Sequence, residues 1–498
     1  MNNLLRFFII SLLWCWVSTS LFSQQSGGGG NSSSFQYNSS LYQVKKLSYF
    51  APSSNSSAWI RIRNDQDVSF LSGINSSVGW ENGTIMTPIA YVSGVKGEVE
   101  AHFDIQCSGN QDYYVWATNN DGYDLPIKKL IIVQGEYVYP REAFSKKFPS
   151  GEVGFWDTFD LKWYVSSINS IPSDASKWVE IGETKNQLYV TKSTPITEPY
   201  DPAAEAMGIY STLIHHTTIH LSCKNANQLS NSQNIVDAIY SEFTNQKVIK
   251  VGGTQAMQYW GPGIGSLFPQ CRPVRGLLQF ENTTCGTWSN FFRDMIKIQG
   301  DGNIRSYGVD WYRKLSLTPN GQALIQQYFD DLGTFFQGAP EAEGYAVVYG
   351  QGPNAYIPTT FAVEKWDDDT YPFQLTYLMS ERDVYHNVLT SPQTPKILSN
   401  GNPIPQLALT GLEGQGNHDP VSEFFNHAIN EYNGQYYDPS YGTPKRNSQN
   451  DWEDKSIDFF GAKARAVIME NGMTNEYYLT WLAEQNTSSF QMNFFLIN

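Results

Sequence analysis

The chain has little cysteine, little basic charge and, beyond its first residues, no long apolar run. Five of its 498 residues are cysteines, too few for a fold held together mainly by disulfides. Lys and Arg number 33 against 48 Asp and Glu, which gives a formal net charge of -15. Phosphate binding needs clustered basic residues, so this balance argues against a nucleic-acid partner. Because no later segment is long and apolar enough, we expect no membrane span in the mature chain.

The composition indicates a folded chain of several domains. Hydrophobic residues make up 41% and charged residues 16%, a balance that can bury a core and is not that of a disordered protein. The length exceeds that of one ordinary domain. Aromatic residues make up 14%, an enrichment that favours β-rich structure.

The N-terminus has the layout of a secretory signal peptide over residues 1–23. Arg6 precedes an apolar run over residues 7–17, and small residues follow before Gln24. This run is about half of what a membrane anchor needs. We therefore expect a secreted, periplasmic or cell-surface protein. Residues 24–40 are rich in Gly, Ser, Asn and Gln, and are interpreted as a low-complexity linker.

Cleavage of the signal removes Cys15 and leaves four cysteines. These are Cys107, Cys223, Cys271 and Cys285. The sequence leaves open whether Cys223 and Cys271 form a disulfide.

Residues 41–195 are typical of an all-β region. The segment 99–107 alternates apolar and polar residues, the period of a half-buried strand. Further strands are predicted at 113–118, 127–133, 159–165, 178–181 and 188–191. The spacing of these strands and their turn residues favours one or two immunoglobulin-like β-sandwich modules.

The pattern changes to mixed α and β after about residue 205. Amphipathic helices are predicted over 234–246 and 287–299, the second ended by Gly300. A strand is predicted over 217–223, where Thr217, Thr218 and Ile219 are β-branched. The turn Asn433-Gly434 between two apolar runs predicts a β-hairpin.

Cys285 lies at the start of the second of these helices, in the run Asn282-Thr283-Thr284-Cys285-Gly286-Thr287-Trp288. A helix N-terminus presents free N–H groups and a partial positive charge, which stabilise a thiolate. The same N–H groups can bind the oxyanion that forms during acyl transfer. A buried structural role is the competing interpretation of a single cysteine.

His427 and Asp438 flank the predicted hairpin. A tight hairpin brings its two strands side by side, so the carboxylate of Asp438 can orient the imidazole of His427. A cysteine nucleophile requires this pair of a base and an orienting group. Cys285, His427 and Asp438 are therefore the predicted catalytic residues.

Together these segments resemble the transglutaminase-like superfamily, whose papain-related α+β fold carries Cys, His and Asp in that chain order. The resemblance rests on Cys285-Gly286-Thr287-Trp288, on Asn426-His427 and on Tyr437-Asp438-Pro439. It covers residues 205–445, and the flanking context looks like that of exported bacterial members with N-terminal β-domains. In this superfamily an upstream aromatic residue or Gln helps to bind the oxyanion, which makes Trp260 and Gln258 the candidates here. Packing is the competing role for both side chains.

Two segments depart from minimal members of that superfamily. Residues 312–420 form a long insertion that we expect to shape or cover the cleft as a lid. Residues 446–498 are interpreted as a C-terminal extension. No calcium site like those of animal transglutaminases is recognised, and no cofactor is expected.

The resemblance implies acyl transfer from a peptide or glutamine amide, with a protein or peptide as substrate. Hydrolysis is the favoured outcome, and protein cross-linking or a non-catalytic binding role are the alternatives. The sequence leaves the oligomeric state open. His215, His216 and His220 are candidate zinc ligands, but the strand predicted there and the incomplete ligand set disfavour a metal site. The acidic run 367–369 lacks the spacing of a calcium loop. His418 lies in a glycine loop and not on the predicted hairpin, so His427 and not His418 is the predicted base.

Overall fold

A computed structural model describes most of the region from residue 41 onward. The described residues are 41–66, 77–81, 85–106, 112–166, 177–196, 214–260, 274–310, 361–364, 374–379, 396–399, 413–417, 423–424, 426–470, 473–484 and 493–497. The predicted signal peptide, the linker and most of the insertion lie outside this set, as do Cys107, Cys271, His418 and the acidic run 367–369. The described chain is rich in β-sheet and has a few helices. Among these residues no helix is long and apolar enough to cross a membrane.

Eleven strands in the described part of residues 41–196 form two sheets. The first sheet has the order β3 (Ile85–Met86), β2 (Ser77–Glu81), β1 (Tyr42–Phe50), β5 (Glu98–Ile105), β9 (Glu136–Ala143) and β8 (Ile131–Val133). The second has the order β4 (Ile89–Val92), β11 (Val179–Thr191), β10 (Gly154–Ser166), β6 (Tyr114–Thr118) and β7 (Leu125–Lys129). All pairings are antiparallel except that of β11 with β4.

The two sheets bury aromatic side chains against each other. Trp163 on β10 is fully buried, and its ring centroid lies 5.4 Å from that of Phe103 and 5.8 Å from that of Tyr139 in the first sheet. The hydroxyl of Tyr49 donates to Asn186 Oδ1 across the same interface at 3.2 Å. Along β6, and along β10 from Phe159 to Val165, alternate residues are buried in this core, as the period of two in the sequence predicts.

The predicted strands of this region are present with altered bounds. The segments predicted as 178–181 and 188–191 belong to the single strand β11, which passes through an irregularity at Gly182 with φ 132°. The segment predicted as 127–133 is divided between β7 and β8, because Leu130 is buried and its N–H donates to the carbonyl of Tyr113.

Four helices follow within the described part of residues 214–310: α1 (His216–Asn225), α2 (Ser232–Thr244), α3 (Val274–Phe280) and α4 (Cys285–Ile298). The predicted helices over 234–246 and 287–299 are confirmed as α2 and α4. The side chain of Asn231 caps α2 by accepting from the N–H of Asn234. Gly300 ends α4 with φ 80°, the left-handed conformation that glycine adopts at low cost.

The strand prediction for residues 217–223 is wrong, because this segment lies in α1. Asp65, far upstream, caps the helix: its carboxylate accepts from the N–H of Thr217 at 3.0 Å and from the Thr217 hydroxyl at 2.7 Å. Thr217, Thr218 and Ile219 are buried. Burial and a cap from a distant residue outweigh the local preference of β-branched residues for strands.

A four-stranded sheet lies against α4. Its order is β20 (Gln435–Tyr437), β19 (Asn426–Tyr432), β14 (Arg305–Asp310) and β23 (Asn493–Ile497). Asn430 on β19 donates to the carbonyl of Ser289 on α4 at 3.1 Å. The predicted hairpin is confirmed, with φ 51° at Asn433 and φ 79° at Gly434. The outer strand β23 comes from the segment interpreted as an extension.

The insertion and the C-terminal segment share another sheet. It has the order β17 (Lys396–Ser399), β22 (Met473–Glu484), β21 (Ile457–Glu470), β16 (Gln374–Met379) and β18 (Glu423–Phe424), and β15 (Phe361–Glu364) also pairs with β21. Helix α5 (Gln449–Ser456) precedes β21. The segments interpreted as an insertion and as a C-terminal extension thus pair in one sheet.

Candidate active site

Cys285 is the first residue of α4. Thr284 precedes it in an extended conformation and accepts at its carbonyl from the N–H groups of Thr287 and Trp288. One face of the helix, made of Trp288, Phe291, Phe292, Met295 and Ile296, is fully buried. Each buried side chain of this size contributes about 1.5–3 kcal/mol, so the helix is firmly fixed in the core. The Cys285 residue is 9% exposed, which places its thiol at the edge of that core.

His427 and Asp438 are brought together by the hairpin. His427 lies on β19, and Asp438 directly follows β20. His427 Nε2 and Asp438 Oδ2 are 2.8 Å apart, and neither side chain is exposed to solvent. The other carboxylate oxygen of Asp438 accepts from the N–H groups of Ser440 (3.1 Å) and Tyr441 (3.3 Å). Three donors thus hold this carboxylate in place.

The Cys285 thiol lies close enough to the His427 imidazole to raise its pKa. Because Nε2 of the imidazole is bonded to Asp438, Nδ1 is the ring nitrogen left to face the thiol. All three predicted catalytic residues therefore meet at one place. With Nε2–H donating to the carboxylate, Nδ1 is the ring nitrogen that would take up the thiol proton.

The electrostatics favour a protonated imidazole. Burial alone would lower the pKa of His427. The negative charge of Asp438, the hydrogen bond between Asp438 and the imidazole, and the neighbouring Cys285 thiol together raise that pKa to about 10. A proton taken from the thiol is thus retained on the imidazole at neutral pH.

The raised pKa of His427 makes stability depend on pH. An unfolded histidine titrates near pH 6.5, so the stability from protonated His427 is fully present below that pH. It is lost as the pH rises through about 10. We expect the free energy of unfolding of the wild type, relative to His427→Gln, to fall by a few kcal/mol across this range. Urea denaturation of both proteins near pH 6 and pH 10 measures this, and a constant difference would contradict it.

Two aromatic rings that the sequence did not indicate enclose His427. Trp452 on α5 stacks on the imidazole, with ring centroids 6.4 Å apart and an interplanar angle of 11°. Tyr441 lies 5.6 Å from the imidazole, centroid to centroid. Both aromatic residues are buried. Trp452 comes from the segment interpreted as an extension, and no local pattern links it to His427.

The backbone at Asp438 is held by Tyr240, a second group that the sequence did not indicate. The Tyr240 hydroxyl accepts from the N–H of Asp438 at 3.1 Å and donates to the carbonyl of Thr443. Tyr240 lies in α2, in the segment predicted as an amphipathic helix. The sequence pattern places Tyr240 on the apolar face of this helix and so predicts that it is buried. Burial alone does not predict its contact with Asp438.

The oxyanion candidates Gln258 and Trp260 lie beside the Cys285 segment. Strand β12 (Gln258–Tyr259) pairs in parallel with β13 (Asn282–Thr283). The Trp260 N–H donates to the carbonyl of Thr283 at 3.1 Å, two residues before Cys285. The indole Nε1 of Trp260 is buried and has no hydrogen-bond partner among the described residues. Such a donor suits a developing oxyanion.

Gln258 differs from Trp260 in its surroundings. Its N–H donates to the carbonyl of Glu281 at 2.7 Å, and its side chain is only partly buried. Between the two candidates lies Tyr259, whose side chain is fully buried. Burial, Tyr441, Cys285 and Asp438 raise the pKa of Tyr259 well above its usual value, so it stays a neutral phenol beside the three catalytic candidates.

The other cysteine and histidine candidates lie elsewhere. Cys223 is a buried free thiol, and burial raises its pKa to about 12. His216 Nε2 and His220 Nδ1 each lie 3.1 Å from the Tyr189 hydroxyl on β11, and burial lowers both imidazole pKa values to about 4. Across the parts of the chain that the structure describes, no group of three or more His, Cys, Asp or Glu is arranged to hold a metal ion.

Comparisons of the chain with protein-family models, with curated proteins and with solved structures found no match. The function of these residues is therefore inferred from their geometry and chemistry.

Proposed function

We propose that this chain is an exported cysteine enzyme that transfers the acyl group of an amide, a peptide bond or a glutamine side chain, to water. One observation supports this most directly. The buried imidazole of His427 is hydrogen-bonded to Asp438 and lies close enough to the Cys285 thiol, at the start of α4, for that thiol to raise its pKa. Structural cysteines have no need of a base that is itself oriented by a buried carboxylate.

In the proposed reaction, His427 takes the thiol proton and the Cys285 sulfur attacks the amide carbonyl carbon. The carbonyl oxygen becomes an oxyanion, and the proposed donors to it are the buried indole N–H of Trp260, which is unpaired among the described residues, and the N–H groups at the start of α4. The C–N bond breaks as His427 returns its proton to the leaving amine, and a thioester remains. His427 then accepts a proton from water, whose oxygen displaces the sulfur and releases the acid.

We further propose that the domain containing this site is transglutaminase-like and papain-related. The chain order Cys285, His427, Asp438 supports this, as does a nucleophile on a helix with the base on one strand and the carboxylate directly after the adjacent strand. The two packed sheets before it are proposed to be an immunoglobulin-like sandwich. The signal-like N-terminus supports export and a protein or peptide substrate outside the cytoplasm.

Hydrolysis and cross-linking share the same thioester and differ in what attacks it. Incubation with a glutamine-containing dipeptide is expected to release ammonia without any added amine. Addition of a fluorescent primary alkylamine should leave most of the product as the free acid, and His427→Gln should release no ammonia above background. Dominant incorporation of the amine would instead assign the chain to cross-linking. Absence of ammonia and of amine incorporation, with peptide-bond substrates also intact, would contradict acyl transfer.

A further inference from the structure

A short turn over residues 414–417 contacts both sides of the candidate active site. The backbone carbonyl of Gln415 accepts from the N–H of Tyr259 at 2.8 Å, and the backbone N–H of Gln415 donates to the carbonyl of Ser440 at 3.0 Å. Tyr259 precedes the oxyanion candidate Trp260, and Ser440 closely follows Asp438. The 414–417 turn therefore ties the oxyanion side of the site to the carboxylate side.

The side chain of Gln415 strengthens this connection. It is fully buried, and its amide nitrogen donates to the carbonyl of Pro439 at 3.0 Å and to the carbonyl of Phe243 at 2.7 Å. Gly416 has φ 56° and donates to the carbonyl of Gln246 at 2.8 Å. A Cβ at Gly416 would lie 2.6 Å from the carbonyl oxygen of Met257, so only glycine fits there. The turn is thus fixed on several sides.

Asn417 acts on the conformation of Trp260. Its side-chain nitrogen donates to the carbonyls of Tyr259 at 3.0 Å and of Trp260 at 2.9 Å. Trp260 has φ 50°, a left-handed conformation that costs a bulky residue about 1–3 kcal/mol. Such strain persists only where the surroundings hold it, and two hydrogen bonds from one amide to successive carbonyls do so.

From these contacts we infer that Asn417 is a positioning residue for the oxyanion site: its amide holds the Trp260 backbone so that the indole N–H faces the reacting carbonyl oxygen. This inference rests on the proposed function. It assigns a role in transition-state stabilisation to a loop segment outside the three catalytic candidates, without contact between Asn417 and the substrate.

The variant Asn417→Ala removes both donors. We expect its kcat on a hydrolysed amide to fall about 10-fold to 100-fold, the size of effect measured for groups that orient metal-ligating side chains, while KM changes little. Its affinity for a peptide aldehyde should fall in parallel, because the aldehyde adds to the thiol and places an oxygen at the oxyanion site. Alkylation of Cys285 by iodoacetamide should keep its wild-type rate, since this reaction forms no oxyanion.

A double-mutant cycle separates positioning from general loosening of the fold. Trp260→Phe removes the indole N–H, so adding Asn417→Ala to it should lower kcat by less than about 2-fold. The matched control is Asn227→Ala: Asn227 is also partly buried and accepts from a backbone N–H, that of Phe155, at 2.9 Å. Its kcat should match that of the wild type.

Three results would overturn the inference. The first is an Asn417→Ala variant with wild-type kcat and aldehyde affinity. The second is an equal loss of kcat on the Trp260→Phe background. The third is a slowed alkylation of Cys285 in Asn417→Ala, which would indicate a disturbed Cys285–His427 pair. If iodoacetamide fails to alkylate Cys285 in the wild type, the proposed function itself fails and the inference falls with it.

Discussion

Replacement of Cys285 by alanine is expected to lower amide turnover by roughly 10^4-fold or more, to the background rate. Without the sulfur no thioester forms, and removal of the nucleophile from a comparable triad has an effect of this size or larger. The fold should remain, because the thiol lies at the edge of the core with 9% of the residue exposed. Initial rates on a glutamine-containing dipeptide, with thermal unfolding of the same samples, measure both expectations.

The chain offers a matched control in Cys223. It is also a free thiol in a helix, but it is fully buried, bonds to Gln299 and lies in α1. Burial raises the pKa of Cys223 to about 12, so its thiolate is scarce at neutral pH. Cys223→Ala should keep most of the activity and lose some stability. Activity retained by Cys285→Ala and lost in Cys223→Ala would contradict the assignment of the nucleophile.

Replacement of Asp438 by asparagine is expected to lower kcat by about 10^3-fold to 10^4-fold. The N–H groups of Ser440 and Tyr441 both donate to one oxygen of Asp438. They would retain the amide oxygen of the asparagine and turn its NH2 group toward His427 Nε2. The imidazole would then carry its proton on Nδ1, facing the thiol, where it cannot act as a base.

The control for this variant is Asp301→Asn. The carboxylate of Asp301 is also hydrogen-bonded to a side chain, accepting from the Tyr432 hydroxyl at 2.6 Å, but it does not contact His427. Its kcat should be within a few-fold of the wild type. A kcat for Asp438→Asn within about 10-fold of the wild type would show that the carboxylate does not control the imidazole.

The parts of the site with local sequence signals could be predicted. An apolar repeat of 3.6 residues marked α4, and Gly300 marked its end. The Asn433-Gly434 turn fixed the register that places His427 near Asp438. These signals lie within the segments that form the elements, so distant residues do not alter them.

Other features depend on residues far apart in the chain and could not be predicted from local pattern. Helix α1 forms over β-branched residues because Asp65 caps it from 152 residues away. The ring of Trp452 covers His427 from a segment interpreted as an extension. Asn417 donates to the carbonyl of Trp260, 157 residues away in the chain. The glycine-rich pattern around Asn417 predicts only a loop. The spacing of apolar residues indicates which face of a helix or strand is buried, but not which other helix or strand packs against it.

The central claim is that His427 activates the thiol of Cys285. The most direct test is the rate at which iodoacetamide alkylates Cys285 at neutral pH in the wild type and in His427→Gln, followed by mass spectrometry of the Cys285 peptide, with the Cys223 peptide as internal reference. The wild-type rate should exceed that of the variant by at least about 10-fold, because the variant lacks the base that takes the proton from the sulfur. Cys223 should react slowly in both. Equal rates at Cys285 in the two proteins would contradict the claim.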